Sequence, residues 1–149
     1  MIKAATLSDA AACSAILHAW IMETPWFPNH APESATEKTM QDRIDAGTVL
    51  VANGASGTEG FVAFKNGYLD CLYLMPGARG KGLGKRLLDR AKCASPEGLM
   101  LWVLAQNEAA QRFYAREGFV ETARGDGSDN EENLPDVCME WKPMEAPNV

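Results

Sequence analysis

The spacing of apolar residues changes several times along the chain, and each change marks an element. Residues 2–5 read as a short strand. Ser8 or Asp9 can cap a helix running to about Glu23, with Ala12, Ile16, Ala19 and Trp20 predicted to share one face. Pro25 and Pro28 then bracket Trp26 and Phe27 in a stiff loop that reaches His30 and cannot be helical throughout. A second helix is predicted over 34–46, with Met40 and Ile44 facing inward and Gly47 ending it. Strand patterns follow at 49–52, 60–65 and 68–74. Gly54/Gly57 and Asn66-Gly67 supply the turns, the latter a strong hairpin signal.

From Gly82 to about Ala94 the period is helical again: Leu83, Leu87, Leu88 and Ala91 form one face, and Lys85, Arg86, Asp89, Arg90 and Lys92 the other. The unbroken apolar run 99–104 predicts a central strand buried on both faces. Asn107 caps a short helix over 108–117, closed by Gly118, and 119–122 and 137–141 read as the last two strands. Between them, 125–136 is a polar loop carrying Asp126, Asp129, Glu131, Glu132 and Asp136. This order predicts an α/β (α+β layered) domain, a mostly antiparallel sheet with a parallel portion flanked by helices. One domain is expected over residues 1–149, with 143–149 as a loose tail.

Composition narrows the function classes. Fourteen Lys+Arg against 20 Asp+Glu give a net charge of −6, which argues against nucleic acid as a partner. Four cysteines stand far apart with no Cys/His ligand spacing, so neither a disulfide framework nor a metal site is expected. The N-terminus lacks a signal peptide's apolar core and no run is long enough to span a bilayer, so a cytoplasmic location is expected.

Against this acidic background, one stretch is basic and rich in glycine: it reads Arg79-Gly80-Lys81-Gly82-Leu83-Gly84-Lys85, between a strand and a helix. The N–H groups at a helix N-terminus and the helix dipole favour an anion there, and glycines let the backbone approach it. Lys85 and Arg86 oppose the dipole, so an anion explains them better than helix stability does. A nucleotide P-loop fails twice, because Arg79 replaces its first glycine and Arg86 its hydroxyl residue. The dinucleotide pattern fails at Lys85.

What remains is Arg79-x-x-Gly82-x-Gly84, followed after the apolar strand by Asn107-Glu-Ala-Ala-Gln-Arg-Phe-Tyr114-Ala-Arg-Glu-Gly118-Phe119. The two blocks, in this order, resemble the GNAT superfamily of N-acetyltransferases, which use acetyl-coenzyme A. The resemblance is close from about Val49 to Trp141 and rests on element order alone before that. It implies a sheet whose central parallel strands splay apart to admit the pantetheine arm. It also implies that main-chain groups of Leu72, Tyr73 and Leu74 hold the acetyl carbonyl and pantetheine, and that the turn through Arg79, Gly80, Lys81, Gly82, Leu83, Gly84 and Lys85 wraps the diphosphate. Asn107 would contact the cofactor, and Tyr114 would sit beside the thioester sulfur as general acid.

Acetyl transfer to an amine needs a neutral nucleophile, an oxyanion donor and a proton for the departing thiolate. An ordinary tyrosine pKa of ~10 against ~8.5 for a thiol makes full proton transfer uphill by roughly 2 kcal/mol, so a late transfer is expected of Tyr114. Many members of the family carry a Glu on the strand before the turn. Here that strand has none, and Asp70 is its carboxylate for the role of base. Glu23, Trp26, Phe27 and His30 are candidates for acceptor binding, Glu23 and His30 also as weaker bases. Cys71 alternates to the face opposite Asp70, which predicts a buried thiol rather than a nucleophile. The acidic loop 125–136 would attract a cationic acceptor.

The expected activity is acetyl-CoA-dependent transfer to a primary amine of a small molecule or protein, by direct transfer in a ternary complex. The alternatives are a non-catalytic acyl-CoA-binding or regulatory module and, on the glycine turn alone, a nucleotide-binding protein. Members of the family are often homodimers, so a homodimer is a further implication of the resemblance.

Overall fold

Local signals account for most of the elements of the computed structural model, which describes residues 1–28, 32–130 and 132–143. In chain order these are β1 (Ile2–Ala4), α1 (Ala10–Met22), α2 (Glu33–Ala46), β2 (Thr48–Gly54), β3 (Gly57–Lys65) and β4 (Tyr68–Leu74). They continue with α3 (Leu83–Cys93), β5 (Leu99–Leu104), α4 (Glu108–Arg116), β6 (Val120–Gly125) and β7 (Asp136–Trp141). The strand order is β1-β2-β3-β4-β5-β7-β6. The β4–β5 pair is parallel, with Tyr68 opposite Met100, while β1–β2, β2–β3, β5–β7 and β6–β7 are antiparallel. The layered α/β class with a mixed, mostly antiparallel sheet is therefore borne out.

Packing divides the described residues into two compact units, those of 1–65 with 69–91, and 66–68 with those from Lys92 to Pro143. In the first, α1 contributes Ala10, Cys13 and Ile16 to a core that also takes Met40 from α2, Val51 from β2 and Phe61 from β3. The β2–β3 hairpin turns tightly, Gly54 pairing with Gly57 around Ala55-Ser56, so both strands are longer than the apolar pattern alone predicts. The inward face of α1 also differs from expectation. Ala12, Ala19 and Trp20 are only partly buried, while Cys13 and Ser14 lie within. Apolar residues surround this helix almost completely, so its sequence marks no unique face.

Asn66 and Gly67 both have positive φ, 51° and 79°, the backbone of the two-residue turn that suits a twisted hairpin. In the second unit β5 pairs with β7 in register from Leu99 opposite Trp141 to Leu104 opposite Asp136. The expectation that β5 is buried on both faces is overturned. Leu99, Leu101 and Val103 are buried, but Met100 and Trp102 are 37% and 42% exposed. A run that is apolar at every position hides its own period, so only the structure separates its two faces.

The α3 stripe is as expected, with Leu83, Leu87, Leu88 and Ala91 all buried. Truncating Leu87 to alanine should cost about 2–5 kcal/mol, because a filled site becomes a cavity. Urea unfolding followed by circular dichroism would show it; a loss below about 1 kcal/mol would mean that α3 is not packed as described.

Candidate functional site

In the first unit, β4 leads into the glycine turn through a single 3-10 turn, Pro76–Ala78. The Met75 N–H donates to the Glu59 carbonyl at 2.8 Å, extending the attachment to β3 one residue past the strand. Ala78 and Leu83 are buried and residues 79–82 between them are exposed, so the turn is pinned at both ends and offered to solvent in the middle. Gly80 and Gly82 have φ of 78° and 81°, left-handed values that explain glycine at both positions. No atom lies within 4 Å of where a Cβ would stand on either, so the space above the turn is open. Gly84 is the second residue of α3, inside the helix expected from Gly82 on. Just behind it, the Arg86 N–H donates to the Gly82 carbonyl at 3.1 Å.

The cations of the turn are not equivalent. The Arg79 guanidinium meets the Glu23 carboxylate at 2.5 Å and donates to the Leu74 carbonyl at 3.3 Å, bracing the turn against the ends of α1 and β4. Lys81 is exposed, and Lys85 pairs with Asp89 one helical turn on, at 3.4 Å between exposed groups. Glu23 is thus a partner of Arg79, a long-range pairing that no local pattern announces.

Leu72, Tyr73 and Leu74 are half-buried at the end of β4. The Tyr73 ring lies 5.4 Å from Trp20, which in turn contacts Trp26 at 6.0 Å and Phe27 at 5.1 Å. The aromatic loop predicted to line an acceptor pocket is therefore linked through Trp20 of α1 to the strand predicted to hold the cofactor. His30 lies outside the described residues. Gly60 is a contributor the sequence reading missed. A Cβ there would come within 2.5 Å of Leu74 Cδ2 and 3.3 Å of Leu87 Cδ1, so its absence lets β4 and α3 close over β3. A glycine opening the strand pattern 60–65 was the available signal.

Asp70 is exposed and lines a hollow of about 280 Å³ together with Asp42, Arg43 and Lys65. Cys71 is buried, as expected, with Arg43 Nη1 3.0 Å from its sulfur. Burial pushes the Cys71 thiol up to about 11, although the guanidinium pulls the other way. Cys13 rises to about 12, chiefly through burial. A neutral, buried thiol is a poor nucleophile.

In the second unit, Asn107 accepts a hydrogen bond from the Ala110 N–H at 3.2 Å and so caps α4. Gln111 Nε2 reaches back to the Ala105 carbonyl at 2.8 Å, fixing the start of the helix to the end of β5. The helix closes at Gly118, φ 94°, where the Phe119 N–H donates to the Tyr114 carbonyl at 3.0 Å. Lys92 Nζ donates to the Glu117 carbonyl at 2.5 Å, placing a cation at the negative end of the helix. Tyr114 is held between Phe113 and Phe119, with ring centroids at 5.2 and 5.3 Å, and its side chain is only 8% exposed. No group of three or more His, Cys, Asp or Glu among the described residues could hold a metal ion. No helix among them is long and apolar enough to cross a membrane.

Comparison with known proteins gives this architecture its class. Residues 45–121 match the acetyltransferase (GNAT) domain family. The peptidyl-lysine N-acetyltransferase YjaB of Salmonella typhimurium is 31% identical over 104 residues, 69% of this chain and 71% of that one. The solution structure of apo YjaB from Escherichia coli superposes with a TM-score of 0.77 at 25% identity, covering 95% of this chain and 96% of the other. The structure of yncA from Salmonella typhimurium with acetyl-CoA gives 0.73 at 22% identity, covering 100% and 98%. The chain belongs to the GNAT acetyltransferase family. It is an N-acetyltransferase, and acetyl-CoA is its cosubstrate.

The thiols provide a direct check on the site. Cys93 is exposed while Cys13, Cys71 and Cys138 are buried. In the native protein a disulfide reagent at pH 8 should label Cys93 quickly and the other three only on unfolding. Fast labelling of Cys71 would restore it as a nucleophile.

Proposed function

We propose that this enzyme acetylates lysine side chains of proteins, by direct transfer from acetyl-CoA. The observation that carries the reading is the pair of left-handed glycines, Gly80 and Gly82, held open to solvent between buried anchors at the N-terminal side of α3. Main-chain N–H groups of such a turn, with Lys81 and Lys85 nearby in sequence, suit the diphosphate of the coenzyme. Arg79, engaged with Glu23 and Leu74, braces the turn while the backbone receives the phosphates. The choice of lysine as acceptor draws support from YjaB, whose name records peptidyl-lysine N-acetyltransferase activity.

In the reaction the amine nitrogen attacks the thioester carbonyl carbon, the tetrahedral oxyanion collapses, and the carbon–sulfur bond breaks. The Leu72 N–H is the oxyanion donor. Asp70, the exposed carboxylate of β4, takes the proton lost by the amine, directly or through water. Tyr114 donates to the departing sulfur, its ring fixed by Phe113 and Phe119. Asn107, while capping α4, contacts the pantetheine arm.

Incubation with acetyl-CoA and a set of lysine peptides and small amines, read by mass spectrometry and CoA release, tests the acceptor. Lysine-side-chain products are expected; turnover on small amines alone would overturn the assignment. Two substitutions test the donor side. Asp and Asn both tolerate left-handed backbone, so Gly82→Asp should weaken acetyl-CoA binding by at least roughly tenfold more than Gly82→Asn, through charge. Equal affinities in calorimetry would remove the diphosphate from this turn. Tyr114→Phe should lower kcat by about 10²–10⁴-fold while leaving acetyl-CoA affinity within about threefold. Parallel losses in both would make Tyr114 a packing residue.

A further inference from the structure

Tyr114 has to do more than lie near the thioester, because a reacting group displaced by about 1 Å can cost roughly 100-fold in rate. Its helix, α4, is nine residues long, below the length at which an isolated helix is stable, so what holds the end of α4 decides where the phenol stands. Lys92 holds that end. We propose that Lys92 is a positioning residue for the reaction: its ammonium, seated among the Phe119 ring, the Trp141 ring and the Glu117 carbonyl that ends α4, fixes the segment that aims Tyr114. The proposal rests on the reading of Tyr114 as the general acid and adds the group that keeps it in place. Lys92, Tyr114, Glu117, Phe119 and Trp141 all belong to the second unit.

Three observations carry it. First, the backbone bonds made at this end converge on Tyr114 itself. The N–H groups of Glu117 and Phe119 both donate to the Tyr114 carbonyl, each at 3.0 Å. Between these two donors, the Glu117 carbonyl accepts from Lys92 Nζ. A charge-assisted bond at the negative end of a helix dipole is the stronger kind, and here it ties down the peptide that links the two donors.

Second, the same ammonium lies 5.8 Å from the Phe119 ring centroid and 5.1 Å from that of Trp141, within the reach of cation–π attraction. Phe119 is 2% exposed and its ring is 5.3 Å from that of Tyr114. One cation therefore holds both the backbone and the ring that flank the tyrosine. Third, the chain is built to admit this arrangement. A Cβ on Gly118 would stand 3.4 Å from Trp141 Cδ1, and φ there is 94°, so glycine both makes the bend and lets the indole close on it. Trp141 is fixed in turn by β7, where it pairs with Leu99.

A cap that only stabilised α4 would change unfolding and leave turnover per folded molecule alone. Positioning predicts a loss in kcat that depends on Tyr114. The test uses the full chain with ring-¹³C tyrosine, the Tyr114 signals among its three tyrosines being assigned through Tyr114→Phe. Lys92→Met removes the charge and keeps an unbranched stem. It should shift the Tyr114 ring signals and leave those of Tyr68 and Tyr73 in place. With acetyl-CoA and an N-blocked Gly-Lys-Gly amide, it should lower kcat at least about tenfold and leave acetyl-CoA affinity within about threefold. Lys92→Arg keeps the charge and stacks on rings, and should recover most of the rate. In a Tyr114→Phe background Lys92→Met should cost less than about twofold, because the group it aims is gone. Should Lys92→Met not fold, Trp141→Leu removes one wall of the cation's seat and should give the same shift and the same dependence on Tyr114.

Unmoved Tyr114 signals, an unchanged kcat, no recovery with arginine, or an equal loss in the Tyr114→Phe background would each overturn the proposal. The two readings fail differently. Undiminished kcat in Tyr114→Phe alone defeats the general acid, and with it this role. Unmoved Tyr114 signals in Lys92→Met, with Tyr114→Phe impaired, defeat the role of Lys92 and leave the acid standing.

Discussion

The backbone between Ala78 and Leu83 must turn out of a strand and into a helix while leaving its own N–H groups exposed. Two buried side chains anchor the ends, and two left-handed residues make the bend between them. An L-residue with a Cβ resists that conformation by roughly 1–2 kcal/mol, so glycine at 80 and 82 answers a backbone requirement before it answers a ligand. Close approach of β4 and α3 to β3 depends on the missing side chain of Gly60 in the same way. Donor binding thus follows from steric absences, with charge added at the rim.

Charge is divided with some economy in a chain of net −6. Arg79 is neutralised by Glu23 at a surface where such a pair contributes little to stability, and its effect is to fix geometry at the mouth of the turn. Glu23 also ends α1, between Trp20, which packs against Tyr73, and Trp26 and Phe27, which pack against Trp20. The donor turn and the loop after α1 are therefore joined within one compact unit by an ion pair and a stack of rings. The second unit contributes differently: its helix α4 is closed at both ends by hydrogen bonds, which sets the backbone that carries Tyr114.

The elements with strong local physics were readable from sequence. Leu83, Leu87, Leu88 and Ala91 repeat at helical spacing, Asn107 is a helix cap, and Asn66-Gly67 takes the left-handed turn it predicts. Where the local signal is degenerate, sequence is silent. Eight of the thirteen residues around α1 being alanine, isoleucine or leucine leaves no preferred face, and the run 99–104 conceals which of its side chains meet solvent. Contacts between distant residues were invisible as well: Glu23 with Arg79 and Arg43 with Cys71. The glycine turn was legible because its residue types carry the chemistry directly.

The central claim is that the main chain of the glycine turn receives the coenzyme's diphosphate. Amide ¹H–¹⁵N spectra recorded during titration with CoA test it most directly. The account predicts that the amides of Gly80, Lys81, Gly82 and Leu83 shift downfield as phosphate oxygens accept their protons. Saturable CoA binding with those four amides unmoved would contradict it.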